Sequence, residues 1–88
     1  MTWKIEFTED AAKDLKRLDQ PIQRLIHRYL RERIATDQPP RRFGKPLHGE
    51  KQGLWRYRIG NYRVICHIED ETLIVLALRI AHRKQAYR

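Results

Sequence analysis

Apolar and polar residues alternate through Trp3-Lys4-Ile5-Glu6-Phe7, a period of two that predicts a half-buried strand. The period then changes. Thr8 stands where an N-cap belongs, Glu9 and Asp10 fall in a first turn where carboxylates favour the helix dipole, and Ala11, Leu15 and Leu18 share one stripe of a short helix. Asp19-Gln20-Pro21 ends that helix and opens another, because proline is tolerated in a first helical turn but not in an interior. Ile22, Leu25, Ile26, Tyr29, Leu30 and Ile34 recur at helical spacing, so the second helix is expected to run to about Ala35 and to form a hairpin with the first.

Asp37 to Glu50 holds Pro39, Pro40, Pro46, Gly44 and Gly49 and reads as a loop of a length that is often functional. Alternation returns in Leu54 to Ile59 and Tyr62 to Ile68. Trp55, Tyr57 and Ile59, with Tyr62, Val64 and Cys66, form the set expected to meet the helices; Arg56, Arg58 and Arg63 are expected on the other face, towards solvent or ligand. Gly60-Asn61 between the runs has the chemistry of a two-residue hairpin turn, with glycine supplying the positive φ. Such a turn pairs Ile59 with Tyr62 and Tyr57 with Val64, and sets Arg58 directly opposite Arg63. After Asp70-Glu71, the run Thr72 to Ile80 is apolar on both alternating sets, as expected of a strand covered on both faces near a sheet centre. The expected architecture is α+β: an N-terminal strand and a helical hairpin packed on one face of a largely antiparallel sheet completed by three C-terminal strands, all in one domain spanning residues 1–88.

Charge changes this picture from a fold into a candidate function. The net charge of +8 is unevenly distributed: residues 1–40 carry eight Lys/Arg against seven Asp/Glu, residues 41–88 eleven against four. The strand-bearing half is therefore the basic half, a pattern that points to nucleic acid or an acidic protein. An anionic membrane fits less well, since the basic residues are interleaved on strands instead of lining an amphipathic helix. No apolar stretch is long enough to span a bilayer and Met1 to Phe7 lacks the character of a signal peptide, so a cytoplasmic location is expected. The single cysteine, Cys66, falls on the apolar side of its strand and is expected to be buried and inert. With four histidines and no HxxxH, CxxC or carboxylate cluster, no metal site is expected, and without a Gly-rich phosphate loop, no nucleotide cofactor either.

The arginine pair is costly to the fold. Two unit charges about 5.5 Å apart repel by roughly 3 kcal/mol at an effective dielectric near 20. A polyanion seated on that face would offset the repulsion.

Taken together, the IEFTEDAAKDLKRLD opening, the Lys45-Pro46-Leu47-His48-Gly49 loop, the WRYRIGNYRVICHI hairpin and the Arg79 to Arg88 close, in that order and spacing, resemble a RelE-type toxin of the RelE/ParE superfamily. The resemblance covers essentially the whole chain. It implies an antitoxin-controlled ribonuclease that cuts mRNA in the ribosomal A site without a metal. Cleavage through the RNA's own 2′-hydroxyl requires a base for that hydroxyl, a cationic clamp for the phosphate and an acid for the leaving oxygen. By motif position, Arg58, Arg63, Arg83 and Tyr87 match the family's functional basic residues and C-terminal tyrosine, and Arg56 matches a further basic residue. Where some members have lysine, this chain has Arg56 and Arg58, whose guanidinium is a poor proton acceptor. Arg58, Arg63 and Arg83 are therefore expected to stabilise phosphate, with the base left open: His82 is the first candidate, Tyr87 a second that could also stack on a base, and His48 and His67 weaker ones. Lys45, His48, Arg56, Arg79 and Lys84 are expected to contact RNA. The implied partners are an acidic RelB-like antitoxin, mRNA on the ribosome with ribosomal RNA, and operator DNA only for the toxin–antitoxin complex. A ParE-like gyrase inhibitor and a non-catalytic RNA-binding domain are the alternative readings.

Overall fold

The computed structural model describes residues 1–82. The chain runs β1 (Lys4–Phe7), α1 (Glu9–Lys16), α2 (Gln20–Tyr29), β2 (Lys45–Pro46), β3 (Trp55–Ile59), β4 (Tyr62–Glu69) and β5 (Ile74–His82). The five strands form one sheet in the order β1-β5-β4-β3-β2, with β1 parallel to β5 and every other pair antiparallel. Both helices lie over one face, and the core fills the space between, with Ile26, Tyr57, Val64 and Val75 among its fully buried side chains. The expected α+β class and largely antiparallel sheet are thus found, with one strand more than anticipated.

The start of α1 follows the sequence. The Thr8 hydroxyl oxygen accepts the Ala11 N–H at 3.1 Å, satisfying one of the first-turn amides that lack a helical acceptor. Its O–H donates to the Leu78 carbonyl at 2.9 Å, tying the helix start to β5. α2 opens with Pro21 in its first turn, and the helical stretch ends in a π-type turn, Leu30–Ile34, closed by the Ala35 N–H on the Leu30 carbonyl at 2.8 Å. Residues four apart drift around an α-helix, and one wider turn brings Ile34 back into line with Ile26 and Leu30, all three buried.

β5 departs from the simple alternation. Pairing with β4 runs Cys66 to Ala77 and then Ile65 to Arg79, which leaves Leu78 as the extra residue of a bulge. Without it, Arg79 would fall on the same set as Val75 and Ala77, which are buried in the core. The bulge turns Arg79 outward and puts Ile80, at 5% exposure, into the core instead. The second apolar set, Ile74, Leu76 and Leu78, is only half-buried, so β5 is not covered equally on both faces as its sequence suggested.

The Asp37 to Glu50 loop is pinned instead of free. Tyr57 and Trp55 reach back from β3, the Tyr57 O–H donating to the Pro40 carbonyl and the Trp55 Nε1–H to the Phe43 carbonyl, each at 2.8 Å. Arg41 forks onto Asp70 at 2.7 and 3.0 Å. The loop then supplies the unanticipated β2, pairing Lys45 with Arg56 and Pro46 with Trp55. Gly44 makes this possible: its φ is +78°, and a Cβ there would sit 2.6 Å from the Trp55 Nε1 and closer still to the Arg56 carbonyl.

Candidate functional site

β3 and β4 pair as the alternation predicts, Ile59 with Tyr62, Tyr57 with Val64 and Arg58 with Arg63. Gly60 at φ +59° makes the tight turn that fixes this register. Ladder partners share a face, so the side of the sheet away from the helices carries Arg58 and Arg63 with Ala81 beyond them, then Lys45, Arg56 and Ile65 in the next rung. Arg58 and Lys45 are exposed and Arg56 is half-buried. A cleft of about 230 Å³ opens where β2 leaves β3, lined by Tyr29, Gly44, Lys45, Arg56 and Arg58. Three cations around a small hollow favour an anion the size of a phosphate.

Arg63 differs from the expectation. It lies on the anticipated face but is buried, with 8% exposure, while Arg58 presents its charge to solvent. An arginine has five N–H donors in a rigid fork, and holding one down in a rung fixes its direction.

The other sequence candidates are not all in one place. His82 is half-buried and pairs with Tyr62, their rings edge to face at 5.4 Å between centroids. By register this pair belongs to the helix-covered set with Ile59 and Val64, across the sheet from Arg58 and Arg63. It opens into a separate cleft of about 390 Å³ whose lining includes Asp14, Arg17, Leu18, Tyr62 and Arg79. His67 is exposed two residues beyond Ile65 on the arginine face, and His48 is exposed in the loop after β2. Arg83, Lys84 and Tyr87 lie outside the described residues.

Arg79, expected to contact RNA, is tied to α1. Its Nε and Nη2 donate to the Asp14 carboxylate at 2.8 and 3.3 Å, and the buried Ile80 N–H donates to the same carboxylate at 2.9 Å. β1 ends at Phe7, opposite Ala77, so Asp14 of α1 takes over as the acceptor on the edge of β5 that β1 no longer covers. Burial by itself pushes the Asp14 carboxyl up, but the Arg79 hydrogen bond, the Ile80 amide and the nearby guanidinium charges outweigh it and hold the group below its ordinary value. Asp14 escaped sequence reading, although a signal was there: it falls on the Ala11, Leu15, Leu18 stripe, and a carboxylate on a buried stripe needs a partner.

Burial pushes the Cys66 thiol up to about 12, far from a thiolate at neutral pH, in keeping with its expected inertness. Burial also raises the Tyr57 and Tyr29 hydroxyls, which stay protonated. Among the described residues no group of three or more His, Cys, Asp or Glu is placed to hold a metal ion, and no helix is long and apolar enough to cross a membrane.

Residues 5–87 match the family model of the ParE toxin of the type II toxin–antitoxin system parDE. Toxin RelG of Mycobacterium tuberculosis is 34% identical over 88 residues, covering 100% of this chain and 99% of that protein. Toxin RelE of the same organism is 34% identical over 86 residues, 98% of this chain and 87% of that one. Among solved structures, the M. tuberculosis toxin–antitoxin complex RelBE2 superposes with a TM-score of 0.85 at 32% identity, covering 94% of this chain and 93% of the other. The RelE–RelB complex from the archaeon Pyrococcus horikoshii gives 0.72 at 24% identity over 98% and 100%, a likeness of fold.

Proposed function

The chain belongs to the ParE/RelE toxin family of type II toxin–antitoxin systems, and from that premise we propose that it is a ribosome-dependent mRNA endoribonuclease acting in the cytoplasm and silenced by its cognate antitoxin. The observation that carries this reading is the Arg58–Arg63 rung with Arg56 and Lys45 beside it. Like charges set opposite one another weaken a ladder, and a phosphodiester seated between them turns that cost into binding.

The chemistry is attack of a ribose 2′-oxygen on the adjacent phosphorus. A base removes the 2′-hydroxyl proton, the O2′–P bond forms, the P–O5′ bond breaks, and an acid returns a proton to O5′; the products are a 2′,3′-cyclic phosphate and a 5′-hydroxyl. Negative charge grows on the phosphate oxygens in the transition state. Arg58, exposed and aimed outward, meets that charge; Arg63 supports it from the sheet; Arg56 and Lys45 hold the neighbouring phosphate in the cleft floored by Gly44. Arg83 and Tyr87, by their position in the matched C-terminal motif, complete the clamp and supply proton transfer or base stacking. His82 lies across the sheet from Arg58, which weighs against it as the proton-transferring group. A chain of 88 residues has little surface to organise a message alone, and the ribosome supplies that positioning.

The ParE description of the family model favours one competing reading, inhibition of DNA gyrase on the same fold. Two named RelE-type relatives at 34% identity and the arginine rung favour the nuclease. End chemistry tests the proposal: cleaved message should carry a 5′-hydroxyl that polynucleotide kinase labels without prior dephosphorylation, and a single 2′-deoxyribose on the 5′ side of the cut should abolish cleavage there. Cutting that persists at the deoxy position would refute 2′-hydroxyl attack.

A further inference from the structure

Beside the cleft at the β3 edge, guanidinium groups lie over aromatic rings. Arg33, in the π-type turn that follows α2, sits 5.0 Å from the Tyr29 ring centroid and 5.6 Å from that of Phe43, and Arg42 sits 4.9 Å from Phe43. Both arginines are exposed and both rings half-buried, and among the described residues neither arginine takes part in a salt bridge. The rings are held in place. Tyr29 meets Phe43 edge to face at 6.3 Å between centroids and lies tilted against the buried Tyr57 at 6.2 Å, while the Phe43 carbonyl accepts the Trp55 Nε1–H. This cluster is continuous with the phosphate-sized cleft, since Tyr29 is one of the cleft's walls and Phe43 directly precedes Gly44, which lines it too.

We propose that Arg33 and Arg42, laid on Tyr29 and Phe43, form a stacking subsite for an unpaired nucleobase of the message, next to the phosphate held by Lys45, Arg56 and Arg58. The subsite rests on the ribonuclease reading above and extends it from the phosphate to the base. A guanidinium spread over a ring keeps its outer planar face available, and an unpaired base stacks on such a plane while its own phosphate stays within reach of the cleft. Lysines would supply the same charge without that surface. Stacking engages a π-face and not a hydrogen-bond pattern, so the subsite accepts any base and imposes only a graded preference.

Arg33→Lys/Arg42→Lys keeps both charges and both aliphatic stems and removes both planes. Its fold is checked by circular dichroism and by its melting temperature against the unaltered chain. Binding is measured by fluorescence anisotropy with short dye-labelled RNAs, 2′-O-methylated so that they cannot be cleaved, carrying either a full set of bases or an abasic residue at each position in turn. At one position, loss of the base should weaken binding to the unaltered chain about tenfold and change binding to the variant by no more than about twofold. An equal loss in both chains, or none in the unaltered chain, overturns the subsite. Cleavage on ribosomes then identifies the source of the base: the variant should shift the relative cutting among A-site codons. A uniform fall over all codons, accompanied by weaker binding to ribosomes, overturns the assignment to the message and gives the platform to ribosomal RNA. A chain that binds these RNAs as expected but never cleaves message refutes the nuclease reading and leaves the stacking comparison standing.

Discussion

Replacing Asp14 tests whether a single carboxylate holds the end of β5 against α1. In Asp14→Ala the buried Ile80 N–H loses its acceptor and the Arg79 guanidinium loses both of its contacts. An orphaned buried donor costs about 1–3 kcal/mol, and the Arg79 contribution is small because that side chain is 61% exposed, so the expected loss is about 1–3 kcal/mol. At roughly 4–8 °C per kcal/mol for a domain of this size, the melting temperature falls by about 4–24 °C. Asp14→Asn keeps an oxygen for the Ile80 amide and loses the charge, so it falls between. The pH dependence adds a second readout. A carboxylate whose folded pKa is held down stabilises the fold fully above its unfolded pKa and ceases to do so as the pH drops through the folded value. The gap between the unaltered chain and Asp14→Asn should therefore be full at neutral pH and close on acidification below about 4. Calorimetric scans of the three proteins from pH 7 downward measure both effects. An Asp14→Ala chain that melts with the unaltered one, or an Asp14→Asn gap that does not narrow in acid, would refute the assignment.

Gly44→Ala should lose about 2–4 kcal/mol in urea unfolding, because its φ of +78° strains any L side chain and the new methyl meets the Arg56 carbonyl and the Trp55 indole; unchanged stability would mean that the loop does not pack on β3 as described. Arg58→Ala should reduce cleavage about a hundredfold while its melting temperature holds or rises, since an exposed member of a like-charged rung is removed; a loss of activity that merely tracks a loss of stability would argue against a direct role.

Local pattern carried much of this fold in the sequence. Thr8 as N-cap, the helical hairpin, the Gly60-Asn61 turn and the register that opposes Arg58 to Arg63 all follow from period and turn chemistry, which act over a few residues. The features that were not legible depend on contacts distant in sequence. β2 exists because Tyr57 and Trp55 fasten the loop by bonds spanning 17 and 12 residues. The Leu78 bulge exists because a strict alternation would bury Arg79, and it is completed by Thr8 and Asp14 from the other end of the chain. For the site, the arginine face was readable from alternation, whereas the depth of Arg63 and the separation of His82 from it depend on how the whole sheet packs.

Primer extension on a defined message in a purified translation system, with and without ribosomes, tests the nuclease claim most directly. The unaltered chain should give discrete cuts at A-site codons only when ribosomes are present, and Arg58→Ala and Arg83→Ala, confirmed folded, should abolish or sharply reduce them. An intact message throughout, from folded protein that instead blocks supercoiling by DNA gyrase, would contradict the account and establish the ParE-like activity in its place.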